Sequence, residues 1–267
     1  MNLQLSVIIV NYNGMRFLDA CFNSLYDKLS TLSYEIIVID NNSTDESCSF
    51  IKENYKNIKL IESKENLGFG GGNNLGILYS KYENILLINN DTILLDPLDD
   101  ALNILDHDKS IGAITIQMLD DQQKYVPSFG NFPNVYNMIW LAKLQNLGLD
   151  LVTGVFKQNS YELDWLSGSF ILMKKEIYLK VGGFDVDYFM YVEDVDFSKK
   201  LANLRLKRVF LPNYQYIHFV GFNKSKNPLL IKGFMLFIEK HQKGIYKRLL
   251  QMALQVNKTI KIIKNEY

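Results

Sequence analysis

An acidic segment interleaved with aromatic residues holds the strongest candidates for acid–base chemistry. Five carboxylates fall within the twelve residues 185–196. Phe197, Leu201 and Leu204 follow at helical spacing, which places Asp194 near a helix start, where the helix dipole alone favours one or two acidic residues. The dipole does not explain the aromatic side chains among them, so the segment is typical of a sugar-stacking surface that contains a base. The aromatic residues are Phe184, Tyr188, Phe189 and Tyr191.

The triplet Asn89-Asn90-Asp91 follows a short apolar run and is a candidate cation site. A carboxylate at the end of a buried strand is a natural ligand for a hard divalent ion that bridges phosphates. The neighbouring amides suit a ribose or complete such a site. The alternative is an ordinary turn, because Asn and Asp are also favoured turn residues.

The stretch from Asn66 to Gly76 is rich in glycine and predicts a helix start that a ligand can approach closely. It does not fit the dinucleotide fingerprint, which needs glycine at three set positions, because Asn73 occupies the third. The stretch also follows the third predicted strand rather than the first. A dehydrogenase of that class is therefore disfavoured.

His218 lies alone in an apolar stretch, where a histidine is usually a satisfied core residue. His107 and His241 lie in polar helical contexts, and we predict that both are surface residues. From the pattern alone, none of the three histidines is a clear ligand.

Short apolar runs alternate with helical patterns over the first ~118 residues, which predicts a doubly wound parallel sheet. Ligands in such sheets bind beyond the carboxyl ends of the strands. Asn11, Asp40 and the triplet 89–91 fall at three of those ends, so we expect them to share one site. The predicted strands are 5–10, 35–40, 58–62 and 85–88.

Two further segments carry structural expectations. Ser43 and Glu46 have capping-box spacing, which predicts a helix that starts near Thr44. Residues 120–162 interrupt the alternation and are rich in aromatic residues. A lid, a substrate-specific insertion and a membrane-facing hairpin all remain open for them.

The composition excludes several classes of protein. The chain has 267 residues, of which 48% are hydrophobic and 22% charged, so a sizeable core is expected. Its 29 basic and 29 acidic residues disfavour a nucleic-acid partner that relies on bulk positive charge. Two cysteines cannot form a disulfide scaffold or a cysteine-built zinc site. With no basic n-region at its start and no apolar run of ~20 residues, the chain is expected to be cytoplasmic.

The charge is unevenly distributed along the chain. Residues 224–267 hold nine lysines and one arginine against two glutamates, a net charge of +8, and residues 1–223 carry −8. Basic and apolar residues alternate through this tail, which predicts an amphipathic helix able to lie on an anionic membrane surface. A helix packed on the body and a dimerisation helix are the alternatives.

Seven segments, in this order, resemble the family 2 glycosyltransferases, inverting enzymes of the GT-A fold, and are most similar to the bacterial rhamnosyltransferase-like branch. The resemblance covers residues ~5 to ~225. The segments are VIIVNYNG (7–14), VIDNNSTD (38–45), ENLGFGGGNNLGI (65–77), LLINNDT (86–92), WLSGSFILMKKEIYLKVGGFD (165–185), FMYVEDVDFSKKL (189–201) and His218.

The resemblance implies a role for each matching position. Asp194 would be the catalytic base, and Asp91 and His218 would bind Mg²⁺ or Mn²⁺. Asp40 would accept from a pyrimidine N–H. Trp165, Gly168, Tyr191 and Glu193 would bind the acceptor. The donor would contact Asn11, Asp40, Asn66, Gly68, Asn73, Asn74, Asn89, Asn90 and Asp91.

The expected reaction is inverting, metal-dependent transfer of a sugar from dTDP-rhamnose, or alternatively a UDP-sugar. The acceptor would be a surface or capsular polysaccharide or its polyprenyl-diphosphate-linked precursor. A protein of the same fold that binds sugar nucleotides without turnover is the alternative. The resemblance implies a GT-A domain over residues 1–223, with a nucleotide-sugar half (1–118) and an acceptor half (119–223), before the basic tail 224–267.

Overall fold

In the computed structural model, residues 3–219 and 227–264 are described. A 3₁₀ turn covers Leu141–Gln145. The strands are β1 (Gln4–Asn11), β2 (Ser33–Asp40), β3 (Lys59–Glu62), β4 (Asn84–Ile88), β5 (Thr92–Leu94), β6 (Ile111–Leu119), β7 (Tyr125–Val126), β8 (Phe129–Gly130), β9 (Tyr161–Glu162), β10 (Trp165–Leu166), β11 (Phe170–Lys174) and β12 (Lys207–His218). The helices are α1 (Met15–Lys28), α2 (Ser47–Asn54), α3 (Gly68–Tyr79), α4 (Asp99–His107), α5 (Val135–Ile139), α6 (Leu149–Thr153), α7 (Lys175–Lys180), α8 (Glu193–Asn203), α9 (Asn227–His241) and α10 (Gly244–Ile263).

A central sheet in the order β3-β2-β1-β4-β11-β6-β12-β5 organises the molecule. The first four strands are parallel, as the alternation of apolar runs and helical patterns predicts. Strand β11 then enters antiparallel between β4 and β6, and β12 runs parallel to β6. The predicted α/β fold with a mainly parallel sheet flanked by helices is confirmed.

Both faces of the sheet are buried, which explains why its strands read as continuous apolar runs. Val7 and Ile9 of β1 face one core cluster, which also contains residues of α1. Ile8 faces the other, together with Ile77 of α3. Helix α3 approaches β1 closely because Gly76 has no side chain: a Cβ there would lie 2.4 Å from Ile8 Cγ2.

Two local predictions were wrong. Helix α2 begins at Ser47 rather than near Thr44, because Asp45, not Ser43, accepts the Ser47 N–H at 3.1 Å. Ser43 instead bonds to Asn11 and to the backbone N–H of Asn13. Leu204, expected on the apolar face of α8, is 43% exposed because the helix ends before it.

The tail folds as two helices against the body. Helices α9 and α10 share a third apolar cluster with Tyr188, Val192 and Val195, which flank or begin α8. The expected boundary at residues 223 and 224 lies outside the described residues. Within the described residues, no helix is both long and apolar enough to cross a bilayer.

Candidate active site

The polar residues at three strand ends form one hydrogen-bonded chain. Asn90 Nδ2 donates to Asn11 Oδ1 at 2.7 Å, and Asn11 Nδ2 donates to Asp40 Oδ1 at 2.9 Å. The second Asp40 oxygen accepts the backbone N–H of Ser43. The expected meeting of these strand ends is therefore present. Asp40 is only 2% exposed. Its carboxylate oxygens already accept hydrogen bonds from protein groups, so neither is free to bond to a nucleobase.

A carboxylate and an imidazole come together at the end of β4. Strand β12 pairs with β5 so that His218 lies opposite Thr92, which places His218 Nε2 3.1 Å from Asp91 Oδ1. The Asn89 amide lies 3.2 Å from the same imidazole nitrogen. His218 Nδ1 is buried without a hydrogen-bond partner. His218 is therefore not a satisfied core histidine.

These groups fit a divalent cation that also binds a phosphate ligand. One carboxylate and one imidazole are too few to enclose an ion. Within the described residues, no cluster of three or more His, Cys, Asp or Glu could hold a metal. Mg²⁺ commonly takes one or two carboxylates and completes its shell with phosphates and water. Asp91 supplies such a carboxylate, and His218 adds an imidazole nitrogen beside it.

A cleft of about 460 Å³ joins this pair to the acidic segment. It is lined by residues from both halves of the sheet and from the segment that precedes α8. Of the residues named from the sequence, those that line it are Asn89, Asp91, Trp165, Gly168, Tyr191, Glu193, Asp194 and His218. Asn11, Asp40, Asn66, Gly68, Asn73, Asn74 and Asn90 do not line this cleft.

Asp194 lies in the first turn of α8, where its carboxylate is fixed by two backbone N–H groups. Gly168 N–H donates to Oδ2 at 3.1 Å and Val195 N–H donates to Oδ1 at 2.9 Å. Burial raises the pKa of Asp194, and these two hydrogen bonds oppose the rise. Burial outweighs the two hydrogen bonds, so this carboxylate is a stronger base than that of a solvated aspartate.

Glu193 lies in a different environment from its neighbour. It is 6% exposed, and its Oε2 is buried without a hydrogen-bond partner. Burial, reinforced by the charge of Asp194, raises the pKa of Glu193 well above its usual value. Of the two carboxyl groups, Asp194 therefore has the environment that better stabilises a negative charge, because only Asp194 has the two backbone donors.

Trp165 and Gly168, which the resemblance assigns to the acceptor, line the cleft and also contact other parts of the protein. Trp165 Nε1–H donates to the Asn131 carbonyl oxygen at 2.9 Å, which fixes the indole. A Cβ on Gly168 would lie 2.8 Å from the ring of Phe69. Glycine at this position therefore lets the Phe69 ring pack beside the backbone N–H that holds Asp194.

The glycine-rich stretch begins α3 as predicted, but its amides bond within the protein. Asn66 Oδ1 accepts the Gly68 N–H, and Asn73 Nδ2 donates to the Phe69 carbonyl. Asn74 Oδ1 accepts from Tyr178 Oη at 2.6 Å and from Phe184 N–H at 3.0 Å, while Asn74 Nδ2 donates to the Phe184 carbonyl. In this structure the Asn74 side chain therefore ties α3 to the segment after α7.

Several site residues were missed from the sequence. Pro127, Ser128 and Gln145 show that the segment 120–162, whose role was open, forms part of the cleft wall. Leu230 of α9 also lines it, although the tail was treated as separate. Isolated apolar and hydroxyl residues carry no signal in a single sequence. The other missed lining residues are Phe69, Met118, Ser167, Ser169, Met190 and Val192.

The prediction that His241 is a surface residue was wrong. Its Nε2 lies 2.7 Å from Oδ1 of Asp196, a carboxylate whose side chain is 1% exposed. The imidazole itself is 12% exposed and packs on Phe237. His107, in contrast, is exposed, as expected.

A sequence profile described as Glycosyl transferase family 2 matches residues 6–178. The chain belongs to this family. The match covers β1–β4, the Asn89–Asp91 triplet and the wall of the cleft up to α7. This glycosyltransferase is an enzyme of the rhamnosyltransferase-like group, as its curated relatives indicate.

Two of these relatives are rhamnosyltransferases. The N-acetylglucosaminyl-diphospho-decaprenol L-rhamnosyltransferase of Mycobacterium tuberculosis is 26% identical over 243 residues, which cover 84% of this chain and 78% of that protein. Rhamnosyltransferase WbbL of Escherichia coli K12 is 30% identical over 200 residues, which cover 70% of this chain and 73% of WbbL. Both alignments reach beyond one motif and include most of the fold.

Solved glycosyltransferases share the fold. GalNAc-T7, solved with UDP, GalNAc and Mn²⁺, superposes with a TM-score of 0.68 at 16% identity; the match covers 89% of this chain and 48% of that one. This chain therefore spans about half of that protein. The mannosyltransferase PcManGT of Pyrobaculum calidifontis, solved with GDP-Man and Mn²⁺, has a TM-score of 0.62 at 16% identity, with 98% and 75% coverage. These likenesses show the GT-A fold.

Proposed function

We propose that this glycosyltransferase inverts the anomeric centre in a single, metal-assisted displacement in which Asp194 is the base. The observation that carries the proposal is that one cleft is lined both by Asp91 and His218 and by the Glu193–Asp194 pair. The first pair suits a diphosphate with its cation, and the second pair suits an attacking hydroxyl.

The two carboxyl groups have different roles in this proposal. The acceptor hydroxyl must lose its proton as its oxygen bonds to the anomeric carbon, and the Asp194 carboxylate accepts that proton. Such base assistance contributes about 10²–10⁴ in rate. In this proposal Glu193, whose pKa is raised, is the protonated partner: it donates a hydrogen bond to an acceptor oxygen and leaves the charge on its neighbour. Trp165 and Tyr191 form the apolar walls against which the acceptor sugar packs.

Asp91 and His218 would hold Mg²⁺ or Mn²⁺ in the proposed complex. When bound, the ion offsets the charge that develops on the leaving diphosphate. The Mn²⁺ in the solved structures of GalNAc-T7 and PcManGT supports this assignment. The chain's own part is to present a carboxylate and an imidazole 3.1 Å apart at the end of β4.

We propose dTDP-rhamnose as the donor, with a UDP-sugar as the second candidate. The two rhamnosyltransferase relatives favour rhamnose. The name of the mycobacterial relative also favours a polyprenyl-diphosphate-linked acceptor sugar for this chain. The proposed donor contacts also include Asn11, Asn66, Gly68, Asn73 and Asn90, which do not line the cleft. Asp40 can bond to a nucleobase only if it gives up one of its present hydrogen-bond partners.

A thermal-shift panel tests the donor and metal assignments. dTDP, UDP, GDP and CMP are each added with Mn²⁺, with Mg²⁺ and with EDTA. A nucleotide that binds only the folded state stabilises it by about 2.7 kcal/mol at a hundredfold excess over Kd. We expect a shift with dTDP or UDP that EDTA abolishes and that Asp91→Asn reduces. No shift with any nucleotide would contradict the proposed function.

We also propose that α10 rests on the membrane that carries the acceptor. Its buried face packs on the body through Leu250 and Leu254, but a second apolar stripe on the same helix faces outward. Arg248 and Lys264 are exposed on the helix too. Exposed apolar residues with cations beside them suit an anionic bilayer surface. The stripe consists of Ile245, Leu249, Met252, Val256 and Ile263.

Vesicle co-sedimentation tests this contact. We expect the protein to sediment with vesicles that contain phosphatidylglycerol, to bind neutral phosphatidylcholine less, and to dissociate as salt is raised. Leu249→Glu with Met252→Glu should abolish binding, whereas the matched control Leu78→Glu, an exposed leucine of α3, should not. Vesicle-independent dimerisation through the stripe, seen by light scattering and lost in the double variant, would overturn the proposal.

A further inference from the structure

The backbone immediately before the proposed base is strained. Tyr191 and Val192 have φ values of +69° and +73°, so two successive non-glycine residues adopt the left-handed conformation. For a β-branched residue such as Val192 this conformation is a genuine outlier. Such strain persists only where the surroundings hold it, and it clusters at functional sites. Because Val192 directly precedes α8, this turn sets where Glu193 and Asp194 begin.

Helix α9, the first of the two tail helices, packs directly on that turn. Gly233 faces it: a Cβ at this position would lie 2.7 Å from Val192 Cγ2 and 2.9 Å from the Tyr191 carbonyl oxygen. Phe234 and Ile231 are buried in the same apolar cluster as Val192. Glycine therefore lets the helix backbone lie against the turn, with no room for another atom between them.

The far end of α9 is fixed to the same segment by charge. His241 lies 2.7 Å from Asp196, which is one helical turn into α8. Lys240 bonds to Asp185 and lies 2.6 Å from Asp187, two carboxylates on the approach to the turn. The middle and the C-terminal end of α9 thus hold the segment 185–196 before, at and after the strained turn.

We propose that α9 is a positioning element for the base: it clamps the Tyr191–Val192 turn so that the Asp194 carboxylate stays on the Gly168 N–H and faces the acceptor. Gly233 and His241 are the positioning residues. The inference rests on the proposed role of Asp194. It assigns part of the site geometry to a helix outside the residues that the family profile matches.

Gly233→Ala tests the clamp. The added methyl displaces the turn, and a misplacement of about 1 Å can cost up to about 10²-fold in rate. We expect kcat to fall by about tenfold or more, while the nucleotide-induced thermal shift stays unchanged because Asp91 and His218 are not touched. Lys232→Ala, an exposed neighbour on α9, is the matched control and should keep the wild-type kcat.

A double-mutant cycle separates positioning from general damage. Val192→Gly removes both side-chain atoms that the new methyl meets and tolerates the positive φ. The Tyr191 carbonyl oxygen, 2.9 Å from the new methyl position, remains, so in that background Gly233→Ala should still lower kcat, but clearly less than in the wild type. Equal losses in both backgrounds, or a folded Gly233→Ala variant with wild-type kcat, would overturn the proposal.

If Gly233→Ala does not fold, variants of His241, at the C-terminal end of α9, test the proposal instead. His241→Asn is too short to reach Asp196, whereas the Gln amide of His241→Gln reaches about as far as Nε2. We expect the Asn variant to lower kcat and the Gln variant to retain it, with the nucleotide shift intact in both. Equal kcat values would overturn the proposal. If the wild-type protein transfers no sugar, or Asp194→Asn keeps the wild-type rate, the proposed function fails instead.

Discussion

At the residue scale, the chemistry depends on how two adjacent carboxyl groups are treated differently. Asp194 accepts the N–H groups of Gly168 and Val195, while the buried Oε2 of Glu193 has no partner. Paired titratable groups whose environments separate their pKa values are typical of acid–base sites. The backbone N–H groups of Gly168 and Val195 therefore favour the charged form of Asp194 over that of Glu193.

The raised pKa of Glu193 predicts how stability depends on pH. In the unfolded chain Glu193 ionises near its usual pKa, whereas in the folded protein its pKa is raised. This group therefore lowers the free energy of unfolding as pH rises from the unfolded-state pKa towards the folded-state pKa. Glu193→Gln should raise the melting temperature at neutral pH and lose that gain below about pH 4. Thermal unfolding across pH checks this, with the exposed Glu53→Gln as control. A gain that is the same at every pH would contradict it.

The pKa of Asp194 predicts the acid limb of the rate. Because burial raises that pKa and the base must be ionised, kcat/KM for the acceptor should fall as pH drops through a value above that of an ordinary aspartate. A pH profile of kcat/KM for the acceptor measures the limb, because this ratio reports groups of the enzyme before the acceptor binds. An acid limb at or below about pH 4 would show that the essential group is solvated and is not Asp194.

The sequence identified the carboxylates but not the way in which they are held. The acidic and aromatic segment pointed to residues 185–196, and the strand ends pointed to Asp91. Burial, the orphaned Glu193 oxygen and the Gly168 contact depend on packing between distant parts of the chain, and no local pattern encodes them. His241 was misread for the same reason: its partner Asp196 is 45 residues away.

At the scale of elements, the parallel strands were predictable because strands buried on both faces are continuous apolar runs. The roles of the asparagine side chains in α3 were not predictable, because an asparagine can either contact a ligand or connect two parts of the protein. The structure makes Asn74 a brace between α3 and the segment at Tyr178 and Phe184, through three hydrogen bonds. The capping prediction at Ser43 failed because that hydroxyl bonds to Asn11 instead.

Asn74→Ala distinguishes these two uses of the residue. Loss of the amide leaves buried groups of Tyr178 and Phe184 unpaired, so we expect the free energy of unfolding to fall by about 2–4 kcal/mol. The nucleotide-induced shift should remain. Chemical denaturation measures the first and a thermal-shift titration the second, with the exposed Asn54→Ala of α2 as control. If the variant kept its stability but lost nucleotide binding, Asn74 would be a donor-binding residue rather than a structural one.

At the scale of the whole molecule, the tail is part of the enzyme's core. The charge imbalance identified it as distinct, but α9 and α10 share an apolar cluster with Tyr188, Val192 and Val195, and Leu230 lines the cleft. The charge distribution along a sequence indicates which charges lie on the solvent-exposed face of a helix. It does not show what the inner face of the same helix covers.

Removal of α9 and α10 should therefore lower the stability of the folded protein and not only abolish membrane contact. Removal of the chain after residue 226 uncovers Tyr188, Val192 and Val195 and releases the strained turn. We expect a protein that aggregates or melts well below the intact chain, whereas the stripe variant with Leu249→Glu and Met252→Glu should keep the wild-type melting temperature. Scanning calorimetry compares the three proteins. A truncated chain with an unchanged melting temperature would show that the tail is only an attachment.

The most direct test of the central claim is the transfer rate of Asp194→Asn beside Glu193→Gln, with the donor nucleotide that the thermal-shift panel selects. The account predicts that Asp194→Asn lowers kcat by about 10²–10⁴ while nucleotide binding is retained. Glu193→Gln should cost clearly less, because its amide still donates a hydrogen bond. A rate for Asp194→Asn within a few-fold of wild type would contradict the account, because the acceptor proton would then leave by another route.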